Sequence, residues 1–225
     1  MKKLQSGNTL FFSKTQWAKR SAEEIAKHLS SLMQRKTTIS VVLTGGRSAA
    51  RVYQEWSKAS DFSEYKGIHF YFSDERLNSP VNETSNYDLV TQTLFSGGFP
   101  ENCEIFPICR DGNSDLEATK YSNFLPKEID VLILTLGEDG HIASIFPGNT
   151  SIHDTDRLFA PVVQPETGGP RISITPIFLS RVQRVFMLAP GLRRLEVLDQ
   201  ILEQNKPVTE SPARLITSAT WLLCI

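Results

Sequence analysis

The sequence predicts an α/β sandwich, doubly wound around a mostly parallel sheet. Three observations carry that expectation. Nearly continuous β-branched and apolar runs of strand length, such as Thr38–Leu43 and Ile129–Leu136, suit strands buried on both faces. Stretches with apolar residues at three- and four-residue steps alternate with these runs. Glycine turns directly follow two of the strands, at Thr44-Gly45-Gly46 and Gly137-Glu138-Asp139-Gly140, as expected where a buried strand feeds a helix or a ligand loop.

Trp17, Ala18, Ile25, Ala26, Leu29 and Leu32 form one helical face and predict a helix over Thr15–Met33 with Thr15 as N-cap. Thr38–Leu43 reads as a strand, and Ala49–Trp56 as the helix after its glycine turn. The unit repeats: Ile68–Phe72 is a strand, Ser73–Thr84 an acidic polar loop, and Ser85–Phe95 a helix. Ile129–Leu136 is the strongest strand signal in the chain. Gln164–Pro170, with two glycines and two prolines, reads as a loop. Arg171–Ile174 and Val182–Ala189 read as strands, Gly191–Gln204 as a helix and Thr220–Ile225 as a closing strand. No linker, charge block or repeat divides the chain, so residues 1–225 are expected to form a single domain.

Composition narrows the function classes. With 24 Lys+Arg against 25 Asp+Glu the net charge is -1, which supplies no global field for nucleic acid or an anionic membrane. Neither is expected as a partner, and an anionic ligand must be held by a local site. No window approaches the ~18 consecutive apolar residues of a membrane span. At this length folding buries roughly 70% of the unfolded surface, so no staples are needed. The three cysteines, Cys103, Cys109 and Cys224, fit no disulfide framework or metal spacing. With no C-x-x-C and no apolar signal segment after Met1-Lys2-Lys3, a cytoplasmic location is expected.

In an open α/β sheet ligands bind beyond the carboxyl ends of the strands, and four such segments carry candidate chemistry. Thr44-Gly45-Gly46-Arg47-Ser48 places glycine amides, a hydroxyl and a helix N-terminus together. That suits a phosphate, or is simply a tight turn. Ser73-Asp74-Glu75-Arg76 offers Arg76 as a fork for phosphate and Asp74 to orient a base or a sugar hydroxyl, or is a solvated charged loop. Within Leu136–Asn149, His141 stands just past a buried strand and two residues after Asp139, the placement of an oriented general base. Arg171 opens a strand, while Arg193 and Arg194 follow Pro190-Gly191 at a helix start; each reaches for a ligand or lies on the surface.

Taken together, these segments resemble the glucosamine-6-phosphate isomerase/6-phosphogluconolactonase family. The carrying pieces are Thr44-Gly45-Gly46, Phe72–Arg76 with Ser85-Asn86-Tyr87, Leu136–Gly148, and Arg171–Thr175. The ligand spacing of the sequence supports no required metal, and the resemblance implies a three-layer α/β/α sandwich like ribose-5-phosphate isomerase and glucosamine-6-phosphate deaminase, and no organic cofactor. It also implies hydrolysis of 6-phospho-D-glucono-1,5-lactone to 6-phosphogluconate, the second step of the oxidative pentose phosphate pathway. The substrate would be a small sugar-phosphate lactone, and the assembly a monomer or weak homodimer. Catalysis would fall to His141, Asp139 and Asp74, and substrate and phosphate binding to Thr44, Gly45, Gly46, Arg47, Ser48, Arg76, Arg171 and Arg194. The deaminase branch carries a glutamate where this chain has Phe146, which cannot shuttle protons. Arg47 places a bulky cation in the phosphate turn, and Arg194 stands where relatives carry lysine. Two alternatives remain open: a deaminase/isomerase-type enzyme, and a non-catalytic sugar-phosphate sensor. Retention of Asp139 and His141 argues against the sensor, which needs the phosphate grip but no base.

Overall fold

Ile39–Leu43 is buried at every position, so it can only sit inside a sheet covered on both faces. The computed structural model, which describes residues 9–77, 85–203 and 206–224, places it there. In chain order the elements are β1 (Thr9–Phe12), α1 (Trp17–Met33), β2 (Ile39–Leu43), α2 (Arg47–Trp56), β3 (Lys66–Phe72), β4 (Asp74–Arg76), α3 (Asn86–Thr93) and β5 (Asn102–Ile105). There follow α4 (Ser114–Phe124), β6 (Ile129–Thr135), β7 (Phe159–Val163), β8 (Pro170–Ile174), α5 (Pro176–Leu179), β9 (Val182–Pro190), α6 (Leu192–Glu203) and β10 (Thr220–Cys224). Seven strands form one sheet in the order β1-β10-β9-β6-β2-β3-β5. Every neighbouring pair in it is parallel. Their carboxyl ends therefore gather the turns after β2, β3, β6 and β9 along a single edge. Among the described residues no helix is long and apolar enough to cross a membrane.

Helices bury one stripe each against this sheet. In α1 the buried residues include Trp17, Ile25, Leu29 and Leu32, spaced to share one face. Trp17 also donates its indole N–H to the Leu222 carbonyl of β10 at 2.9 Å, fixing the helix against the strand. Burying each of these side chains contributes about 1.5–3 kcal/mol. The expected N-cap is corrected: Gln16 holds that position without a side-chain cap, and Thr15 sits in the preceding turn. There the Ser13 carbonyl accepts from the Gln16 and Trp17 amides, so a backbone turn starts the helix.

The acidic loop expected over Ser73–Thr84 is also corrected at its start. Asp74–Arg76 is β4, the edge of a separate antiparallel sheet ordered β4-β8-β7. Its residues pair with Ser173, Ile172 and Arg171, a register that local pattern cannot reveal in three residues. Arg171–Ile174, expected as a strand of the sandwich, belongs to this small sheet. Residues 78–84 of that loop, and the ends of the last helix and closing strand at Gln204 and Ile225, lie outside the described residues.

Candidate active site

The chain leaves β6 through Leu136 and folds back on itself at once. The Gly137 amide donates to the His141 carbonyl at 2.9 Å, and the Gly140 amide to the Gly137 carbonyl at 3.2 Å. This turn brings His141 Nδ1 to 2.6 Å from Asp139 Oδ1, and the His141 amide to 3.1 Å from the same oxygen. Burial pushes the Asp139 carboxyl up, but the hydrogen bond and charge of the His141 ring, with the amide bond, outweigh it and hold the carboxyl below its usual range. An ionised carboxylate can only accept, so in the neutral form of the ring the proton sits on Nδ1 and the Nε2 lone pair is left to act as a base. Gly137 makes room for the pair. A Cβ there would lie 2.2 Å from His141 Nδ1 and 2.7 Å from Asp139 Oδ1.

Phe146 touches both the His141 ring, at a centroid distance of 4.9 Å, and the Arg171 guanidinium, whose Cζ is 5.6 Å from its centroid. Arg171 in turn reaches the Ser144 hydroxyl at 3.3 Å and lies 4.0 Å from Asp74 Oδ2. Asp74 is buried, and its oxygens accept from the hydroxyls of Ser73 (2.9 Å) and Ser144 (2.7 Å) and from the Asn86 side-chain amide (3.2 Å). It therefore grips the segment after His141 through Ser144 and does not itself meet His141. The Ser144 amide donates to the Ser173 hydroxyl, tying the same segment to β8.

Two functions of nearby residues escape a sequence reading. Glu75 is buried and accepts from the amides of Arg76, Asn86 and Tyr87 at 2.8, 2.8 and 2.9 Å. With Ser85, which accepts from the Asp88 amide at 2.8 Å, it satisfies the first amides of α3. Burial nonetheless keeps the Glu75 carboxyl above its usual range despite these bonds. The second function is that of Gly45, expected in the ligand turn, which instead lies under Asn86: a Cβ would stand 1.8 Å from Asn86 Oδ1. Gly45→Ala is expected to lower stability by about 3 kcal/mol, from overpacking and disrupted hydrogen bonds of the Asn86–Asp74 pair. Gly97→Ala, where a Cβ meets nothing within 4 Å, should stay within about 0.5 kcal/mol of wild type. Urea unfolding of both variants checks this, and equal midpoints would contradict it.

The predicted residues separate into two groups around the His141 turn. Arg47, Ser48 and Arg194 line one cavity of about 660 Å³, together with Lys14, Arg51 and Glu138. Arg194 donates from Nε to the Leu136 carbonyl at 2.8 Å and lies 3.7 Å from Glu138 Oε1, which sets its guanidinium against the turn carrying His141. Gly46 is exposed at the N-cap of α2. Thr44 is buried and its amide and carbonyl both bond the Tyr53 hydroxyl, so it supports the turn from beneath. Arg76 and Arg171 stand opposite each other on β4 and β8 and do not line that cavity. Arg193 pairs with Glu196 on the surface. Arg51 was missed, although its place four residues beyond Arg47 puts it on the same helical face. Among the described residues no cluster of three or more His, Cys, Asp or Glu could hold a metal ion.

The chain is similar to known proteins along almost its whole length. The chain aligns with a curated 6-phosphogluconolactonase of Nostoc at 28% identity, covering 91% of this chain and 89% of the relative. One from Haemophilus influenzae is 28% identical, covering 87% and 86%. Among solved structures, a 6-phosphogluconolactonase of Thermotoga maritima superposes with a TM-score of 0.83 at 24% identity, covering 98% of this chain and all of that one. A family model, described as glucosamine-6-phosphate isomerases/6-phosphogluconolactonase, matches residues 13–223. With nearly the whole chain inside that match, the protein belongs to the glucosamine-6-phosphate isomerase/6-phosphogluconolactonase family.

Proposed function

We propose that this protein hydrolyses 6-phospho-D-glucono-1,5-lactone to 6-phosphogluconate in the oxidative pentose phosphate pathway, with His141 as the base. The observation that carries the reading is the His141 ring, held at Nδ1 by Asp139 at the end of β6 with Nε2 left for a water. Nε2 takes a proton from water as the oxygen adds to the lactone carbonyl carbon, and Asp139 stabilises the imidazolium that forms. Collapse of the tetrahedral adduct breaks the bond to the ring oxygen, which recovers the proton from Nε2. The acid released ionises in solvent.

The cavity beside this turn supplies the grip for the remote phosphate. Arg47, Ser48 and Arg194 line it, and the first amides of α2 lack intrahelical partners. Binding a dianion there holds the carbonyl at the base. Asp74 acts as a positioning residue through Ser144, and Arg171 through Phe146 and Ser144. The deaminase reading needs a second proton-shuttling group, and the phenyl ring of Phe146 occupies the position where that branch carries a carboxylate.

Arg194→Ala separates phosphate binding from chemistry. It should raise KM for the phosphorylated lactone by about tenfold or more, the worth of one charge-assisted contact, and shift KM for gluconolactone by less than about twofold. Initial rates on both substrates decide it. Equal increases would remove Arg194 from the phosphate site.

A further inference from the structure

Arg184 lies on β9 at the opposite end from Pro190, roughly 20 Å away along the strand. It is a half-buried cation, and its hydrogen bond is to a neutral group, the Thr220 hydroxyl at 3.1 Å. Among the described residues no carboxylate comes within ion-pair distance of it. A guanidinium withdrawn from water without a counter-charge is costly, and it presents five donors in a fixed fork that matches an oxyanion.

Its surroundings are concave and basic. Arg184 and His28 together form the shared wall of two cavities, of about 540 and 430 Å³. The larger adds Lys27 and Glu24, and the smaller adds Arg35, Lys36 and Asp130. Asp130 does not neutralise Arg184, because one oxygen pairs with Lys36 and the other accepts from the Ser40 amide and hydroxyl. With that pair set aside, Lys27, Arg35 and Arg184 face Glu24 alone, an excess of positive charge in a chain whose net charge is -1. Burial first, then the neighbouring Arg184 and Arg35, hold the His28 imidazole below its usual pKa against the opposing pull of Asp130. The Thr9 hydroxyl, on the wall of the larger cavity, is enclosed and has no hydrogen-bond partner among the described residues. Leu10 and Phe186 give that cavity an apolar side, with the His28 ring edge-on to Phe186 at 5.7 Å.

We propose that this cavity pair at the amino ends of the strands is a second binding site, for a small phosphorylated molecule whose phosphate lies on Arg184. A volume of several hundred Å³ fits a metabolite-sized ligand, and the charge excess selects an anion. The site is distinct from the candidate active site, because β9 carries Arg184 near its start and leads to Arg194 only beyond its end.

Pyrophosphate is the probe, and the ring resonances of His28, assigned in histidine-labelled protein with a His28→Gln control, are the readout. In wild type they should shift saturably with pyrophosphate. Arg184→Met should weaken that binding by about tenfold or more, and the exposed Arg35→Glu severalfold. The double variant Arg47→Ala, Arg194→Ala should leave the His28 titration unchanged while losing affinity for the phosphorylated lactone. Thus a failed active-site assignment and a failed second site give different results. An absent or non-saturating His28 shift, equal titrations in wild type and Arg35→Glu, or loss of the His28 response in the double variant would each overturn the proposal. Circular dichroism of Arg184→Met establishes that its loss of binding is not loss of fold.

Discussion

His141→Ala lowers turnover of 6-phosphogluconolactone by about 10²-fold or more, the usual worth of a positioned general base. The substitution leaves the rest of the site in place. Asp139 is half-exposed and loses only its partner at 2.6 Å, and the cavity lined by Arg47, Ser48 and Arg194 does not use the imidazole. Phosphosugar binding should therefore persist within about threefold, since the removed group contributes to the transition state and little to ground-state binding. Single-turnover rates and product-binding titrations measure the two effects separately. Turnover equal to wild type, above the spontaneous background, would remove His141 as the base.

Gly137→Ala should be nearly as damaging, for a steric reason. The added Cβ would lie 2.2 Å from His141 Nδ1, 2.4 Å from Cε1 and 2.7 Å from Asp139 Oδ1. No carbon survives at such distances, so the ring and the carboxylate must both move. A displacement of about 1 Å at a reacting group costs on the order of 10²-fold in rate. The turn lies at the end of β6, where His141 and Asp139 are partly exposed, so the folded core need not shift with them. The expected result is kcat lower by about 10²-fold, with a thermal midpoint close to that of wild type. A variant with full turnover would mean that the hydrogen-bonded pair is not the catalytic arrangement.

How much of this was legible in the sequence depended on burial. β2 and β6 are almost wholly buried, so composition alone marks them. The edge strands β1 and β5 have four residues each with mixed exposure and give no comparable signal. In α4 the buried residues are Ala118 and Tyr121, while Leu116 and Phe124 are exposed, so the apolar pattern does not outline a face. Asp139 and His141 were legible because both partners lie within one turn. Gly45 beneath Asn86, Glu75 on the α3 amides and Asp74 on Ser144 join residues far apart in the chain, and no local spacing reports such contacts. The three-residue strand β4 sets Arg76 opposite Arg171, and neither lines the cavity of Arg47 and Arg194, a register that three residues of sequence do not reveal.

Lactone hydrolysis by this chain is measured in a coupled assay with freshly generated 6-phosphogluconolactone, read against its spontaneous hydrolysis, with glucosamine 6-phosphate offered as the competing substrate. The reading predicts 6-phosphogluconate formed well above background and no ammonia from the amino sugar. Deamination of glucosamine 6-phosphate without acceleration of lactone hydrolysis would contradict it.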